Sequence, residues 1–137
     1  MLPLRHARWW RVVSVLILVF VLIVAMSRAF WFFEDLGKAL SRFQNSDKWL
    51  HGLTFVVLSL WFSGIVEKRR YWLIAIGLVL FGLLVEFCQL QVSYRMADGF
   101  DILANTLGII VGLTIAVAGL GGWGPRFEDW LSRRRSH

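Results

Sequence analysis

A chain of 137 residues, 58% hydrophobic, with eight Trp and eleven Phe gathered in long runs, has room for four apolar spans of about 20 residues and none for a large soluble domain. Its formal charge of +6 sits in Lys and Arg clusters outside those runs; nothing resembles a groove-reading or base-stacking module, so no nucleic acid is expected as a partner and anionic membrane lipid is. The single cysteine, Cys88, excludes an internal disulfide and argues against a cysteine-based metal site.

The first apolar run, Val12 to Met26, continues into Phe30-Trp31-Phe32-Phe33 and predicts a transmembrane helix over about 12–33. Arg5, Arg8 and Arg11 precede it, and Ala25-Met26-Ser27 has the small-residue pattern of a signal-peptidase site. A cleaved signal peptide is therefore the rival reading. Against it, Trp9-Trp10 before the run and the aromatics after it have the placement of interfacial anchors. Between the first and second runs, Leu36, Leu40 and Phe43 recur at helical spacing and predict a short helix lying in the interface.

Further helices are expected over about 49–66, 71–90 and 102–120, none of them interrupted by proline. The basic tail, 121–137, carries Phe127, Trp130 and Leu131 on one side with Arg133, Arg134 and Arg135 behind them, a second interfacial pattern. The expected architecture is all-α: a polytopic membrane protein, one membrane domain over 1–137, built as a four-transmembrane-helix bundle with short interfacial helices.

Lys and Arg counts set the orientation. The N-terminus, the second loop (Lys68, Arg69, Arg70) and the tail (Arg126 and Arg133 to Arg135) hold ten, and the other side holds five: Arg28, Lys38, Arg42, Lys48 and Arg95. Both termini are expected in the cytoplasm.

In that orientation the polar residues of the spans gather at the outer side. Lys48 and His51 open the second helix, Glu86 and Gln89 close the third, Arg95 lies in the third loop, and Asp98, Asp101 and Asn105 open the fourth. Lys48, His51 and Phe55 share one helix face, as do Gly82, Glu86 and Gln89. Asp98, Asp101, Asn105, Gly108 and Gly112 form one stripe, whose lower half has the small-residue spacing that lets helices approach closely. His51, Glu86 and Asn105 are expected in one layer, with Lys48, Gln89, Arg95 and Asp101 above it.

A charge at mid-span costs at least about 2.5 kcal/mol, so such groups face interiors and pair. Glu86 also lies near a helix C-terminus, where the macrodipole disfavours an anion, so Lys48, His51 or Arg95 must offset it or it is protonated. Structural readings stand beside the functional ones. Asp98 and Asp101 have the positions of a capping pair, Asp47 that of a cap for the second helix, Asn105 that of an interhelical hydrogen-bonding residue, Arg95 that of a headgroup anchor, and Cys88 that of a packing residue. No ligand spacing supports a metal site built from His51, Glu86 and Asp101, and no metal or cofactor is expected.

Taken together, Asp47-Lys48-x-x-His51-x-x-x-Phe55, Glu86-Phe87-x-Gln89, Arg95, Asp98, Asp101 and Asn105-x-x-Gly108-x-x-x-Gly112 resemble the VanZ-like family, named for an accessory protein of glycopeptide (teicoplanin) resistance. The resemblance covers residues 47–112. It implies a small multi-helix protein of the bacterial inner (cytoplasmic) membrane with Lys48, His51, Glu86, Gln89, Arg95, Asp101 and Asn105 as its site. One departure is the Asp98-Gly99-Phe100-Asp101 stretch, where the glycine predicts a looser approach to the fourth helix.

Three functions compete. The first is a binding protein whose outward polar pocket holds a cell-envelope ligand, a lipid-linked precursor headgroup or a lipoglycopeptide, with Lys48 and Arg95 supplying positive charge and Glu86, Gln89, His51 and Asn105 supplying directional hydrogen bonds. The second is an intramembrane enzyme acting on an envelope lipid, with His51 or Glu86 as the acid or base. No Ser or Thr nucleophile motif accompanies that pair, and Ser93 has no recognisable elbow, so the sequence leans away from chemistry. The third is a structural or interaction protein whose polar network only fixes the bundle.

Overall fold

The computed structural model describes residues 2–26, 46–91 and 99–135. Five helices account for nearly all of them: α1 (Ala7–Met26), α2 (Ser46–Ile65), α3 (Tyr71–Gln91), α4 (Gly99–Ile115) and α5 (Trp123–Arg135). A single 3-10 turn, Lys68–Arg70, leads into α3, and α4 runs on through a wide turn at Ala116–Leu120. The expected interfacial helix around Leu36 to Phe43 lies outside the described residues.

Among the described residues, three helical stretches are long and apolar enough to cross a membrane: Ala7–Met26, Lys68–Gln91 and Gly99–Leu120. The apolar part of α2, Trp49–Ile65, is shorter. The surface is inverted relative to that of a water-soluble bundle. Val15, Leu16, Phe20 and Ile23 on α1, Leu80, Leu84 and Phe87 on α3, and Leu103, Leu107 and Ile110 on α4 all point outward, while Ser59, Ser63, Gln89, Asp101 and Asn105 are buried. Water would not tolerate so continuous an apolar exterior, whereas lipid demands it. The molecule is a helical membrane bundle.

Its spine is the pairing of α2 with α4, the most extensive in the structure. Glycines create it. A Cβ on Gly108 would run into the carbonyl group of Gly52, and one on Gly112 would stand 2.8 Å from the Val56 carbonyl oxygen and 2.6 Å from the Ser59 Cβ. Without those methyl groups the two backbones touch, as the small-residue spacing predicts. α3 completes the core, where Phe55, Leu58, Ile74, Leu78 and Ile109 pack together.

The basic end is fastened by hydrogen bonds between elements far apart in sequence. The carbonyl of Ser63, an orphan in the last turn of α2, accepts from the Tyr71 hydroxyl (3.1 Å) and the Gly122 N–H (2.9 Å). The Ile65 carbonyl accepts from the Leu2 N–H (3.1 Å), and the Leu60 carbonyl from the Trp123 indole (2.9 Å). That indole occupies the space left by Gly64, where a Cβ would collide with it. The chain reverses between α4 and α5 at Gly119, whose φ of 150° is one that only glycine adopts readily.

Trp9 and Trp10, alike in sequence, part company in space. Trp9 is 69% exposed and keeps the position of an interfacial anchor. Trp10 turns inward, against Trp61 (5.7 Å between ring centroids), Trp123 (5.5 Å) and Phe127 (6.3 Å). Its indole donates to Glu128 of α5 at 2.8 Å, and the other Glu128 oxygen accepts from the Arg5 N–H at 2.9 Å. Expecting Trp10 as an anchor is therefore corrected: a one-residue step along a helix turns a side chain by about 100°, so neighbours in sequence face different media.

Candidate functional site

At the opposite end of the bundle, three helices bring polar side chains inward. His51 comes from the second turn of α2, Glu86 and Gln89 from the last turns of α3, and Asp101 and Asn105 from the first turns of α4. All are buried, with relative exposures of 4% for His51, 7% for Glu86, 2% for Gln89, 0% for Asp101 and 3% for Asn105. Local sequence explains the facing. Glu86 and Gln89 continue the buried stripe of Leu78, Gly82 and Val85, and Asp101 and Asn105 continue that of Gly108 and Gly112. The close α2–α4 approach at Gly52 and Gly108 then draws the open end of α4 toward His51.

His51, Glu86 and Asp101 each present one nitrogen or oxygen such that the three atoms lie within 4.8 Å of one another. The expected layering is thereby revised: Asp101, expected above His51 and Glu86, brings a carboxylate oxygen to within 4.8 Å of their ligand atoms. Helix starts at Gly99 rather than near 102, so Asp101 lies inside α4 instead of ahead of it. Gly99 is itself helical, so the looser approach expected at that glycine is not observed there.

Asn105 sits one turn beneath the cluster. Its Nδ2 is 3.3 Å from where a Cβ on Gly82 would stand, beside the Phe55 ring. Among the described residues, neither amide atom of Asn105 has a hydrogen-bond partner. Gln89 sits above and donates from Nε2 to the Ala25 carbonyl at 3.1 Å, satisfying an orphan carbonyl in the last turn of α1. Its Oε1 has no partner among the described residues. The side chains of Lys48 and Asp47, together with Arg95 and Asp98, lie outside the described residues. Of the seven expected site residues, His51, Glu86 and Asp101 thus meet in one buried cluster, with Gln89 and Asn105 buried a turn to either side of it.

The group is reached from the side. A crevice of about 170 Å³ runs between α1, α2 and α3, walled by Phe20, Val21, Val24, Phe55 and Val85, with His51 and Thr54 as its polar lining. The Thr54 hydroxyl donates to the Leu50 carbonyl of its own helix at 2.8 Å, which leaves His51 as the polar feature at the inner wall. No motif in the sequence announces this opening, because its walls come from three helices and differ in nothing from ordinary lipid-facing residues.

Ser59 is buried on α2, eight residues beyond His51 and so about 12 Å along the axis. That separation rules it out as a nucleophile activated by the histidine.

Comparison with curated proteins and with solved structures finds no match for this chain. A family model described as VanZ/LLP1 matches residues 3–120, which takes in α1 and the wide turn after α4 as well as the polar constellation. The match spans all three helices that supply the cluster and the helix that walls its crevice, and the chain belongs to the VanZ/LLP1 family.

Proposed function

We propose that this protein crosses the bacterial cytoplasmic membrane four times, with both termini in the cytoplasm, and that its buried polar group receives the polar part of a lipid-linked cell-envelope ligand. The observation that carries the reading is the apolar crevice that opens on α1–α3 and ends at His51. A free polar solute has no use for such a wall. A molecule with a hydrocarbon chain and a hydrogen-bonding head does. At about 170 Å³ the crevice is below the usual 300–1,000 Å³ of a pocket that encloses a whole small molecule, so it suits a stretch of chain next to a headgroup.

Four passes are supported by the length of α2, whose 20 residues rise about 30 Å, the thickness of the hydrocarbon core. An even number of passes agrees with the meeting of the N-terminal segment and α5 at one end. The Lys and Arg excess at that end supports a cytoplasmic assignment. A precursor headgroup or lipoglycopeptide as ligand would connect the site with glycopeptide resistance, the trait of the protein for which the VanZ-like family is named.

The test is lipid retention by the purified protein in native mass spectrometry, offering a polyprenyl-diphosphate saccharide beside phosphatidylglycerol. Wild type should retain the polyprenyl lipid selectively, and Asn105→Leu and His51→Phe should not. Equal retention of both lipids by the wild type would sink the reading.

The proximity of His51 to two carboxylates favours a second reading, an intramembrane hydrolase in which His51 or Glu86 activates water. It is separated from the first by turnover. An enzyme consumes the polyprenyl substrate, and Glu86→Gln binds it without consuming it.

A further inference from the structure

His51, Glu86 and Asp101 reach one point from three different helices, and the three candidate ligand atoms lie within 4.8 Å of one another. Atoms bound to one first-row cation at about 2.1 Å are roughly 3.4 Å apart in a tetrahedron and at most about 4.2 Å apart anywhere on the ion. The widest pair has therefore to close by no more than roughly 0.5–1.5 Å, within the reach of a side-chain torsion. We infer that the His51–Glu86–Asp101 cluster binds one divalent transition-metal cation of the Zn²⁺ or Mn²⁺ class.

The donor set selects the class. An imidazole favours Zn²⁺ and its neighbours over Mg²⁺ or Ca²⁺, two carboxylates admit Mn²⁺, and the absence of thiolate from the three argues against Cu(I).

A second observation comes from the amides above and below. Asn105 and Gln89 are both more than nine-tenths buried, and Asn105 projects beneath the cluster toward Gly82, one turn before Glu86. Both Asn105 amide atoms and the Gln89 Oε1 have no hydrogen-bond partner among the described residues. A cation with three protein ligands keeps a water in its open position. That water donates hydrogen bonds, which an amide oxygen accepts, and the Asn105 and Gln89 oxygens, a turn to either side of the cluster, are acceptors without a partner among the described residues.

The inference stands on the cluster's geometry rather than on the lipid reading. Where both hold, the open position is the one a phosphate oxygen of the lipid-linked ligand would take.

The experiment uses the untagged full chain in detergent, stripped with a chelator and titrated with MnCl₂ by electron paramagnetic resonance, then with ZnCl₂ as competitor. One equivalent of Mn²⁺ should bind, be displaced by Zn²⁺, and show nitrogen coupling from an imidazole in the pulsed spectrum. That spectrum needs no variant, so it decides the matter even if substitutions unfold the protein. His51→Gln and Asp101→Asn should each weaken binding at least about tenfold, with elution volume and circular dichroism unchanged. His6→Gln, at the opposite end, should leave binding as it is. Absence of stoichiometric Mn²⁺ or Zn²⁺, bound Mn²⁺ without nitrogen coupling, or full binding by His51→Gln would each overturn the inference. No lipid is added, so a negative result leaves the lipid-retention test untouched.

Discussion

One methyl group at Gly108 has nowhere to go. It would overlap the Gly52 carbonyl oxygen and stand 3.0 Å from the Gly52 carbonyl carbon and 3.2 Å from its Cα, where non-bonded carbons settle at about 3.5–4.0 Å. All three obstacles are backbone, which has no rotamer to change, so α2 and α4 have to part by roughly 0.5–1 Å. Overpacking of that kind costs about 1–3 kcal/mol, set against the roughly 0.5–1 kcal/mol that Ala gains over Gly in a helix interior. Gly108→Ala should come out destabilised by about 1–2 kcal/mol, and Gly108→Leu by more. Gly77→Ala is the matched control, since a Cβ there meets nothing within 4 Å and the helix-propensity gain stands alone. Gly119 does not serve as a control, because its φ of 150° strains any side chain. The assay is equilibrium unfolding of the three variants in mild detergent, read by tryptophan fluorescence. Gly108→Ala as stable as Gly77→Ala would mean that α2 and α4 do not touch at Gly52, and the route by which α4 delivers Asp101 to His51 would fall with it.

Glu86→Gln keeps shape and should keep melting behaviour close to wild type while losing retention of the polyprenyl lipid; a destabilised variant whose stability and lipid retention both return on neutralising Lys48 would make Glu86 scaffolding instead. At the basic end, burial pushes the Glu128 carboxyl up, but hydrogen bonds from the Trp10 indole and the Arg5 and His6 amides outweigh it and hold the pKa below its ordinary 4.5. A depressed carboxylate contributes stability that is complete above 4.5 and lost as pH falls below it, so acidification should loosen the N-terminal segment and shift Trp10 fluorescence, and Glu128→Gln should remove that pH response. Reporter fusions after Lys68 and after His137 should read as cytoplasmic and a fusion after Ser93 as extracytoplasmic; the reverse pattern would place the polar group on the cytoplasmic side.

His51, Glu86, Gln89, Asp101 and Asn105 are legible in the sequence because polar groups in apolar runs are expensive, and their helical spacing shows that they share faces. Gly108 and Gly112 are legible for a related reason, as small residues on the same stripe. Their depth is not. Helix is expected from near 102, with Asp101 ahead of it, whereas α4 begins at Gly99 and Asp101 reaches His51 and Glu86; a glycine in the first turn is a weak signal for where helix begins. The Trp10–Glu128 contact was invisible too, since its partners stand 118 positions apart and no periodicity relates α1 to α5. Ser14 gave a local hint: it lies one turn after Trp10, bonds the Trp10 carbonyl at 2.7 Å and accepts from the Trp61 indole at 3.0 Å. A lone serine in an apolar run was a sign that this face of α1 is not turned to lipid.

The Glu128 contact also sets an order of events during synthesis. The amides of Arg5 and His6 that open α1 are satisfied by a carboxylate more than 120 residues later in the chain. At about 5–20 residues per second of translation, the ribosome needs roughly 6–25 s to reach Glu128 after Arg5 has been made. For that interval α1 can already pack on α2 and α3, through the Trp61–Ser14 and Gln89–Ala25 hydrogen bonds, while its N-terminal amides wait. The start of α1 is thus closed only after the helices it packs against have been made.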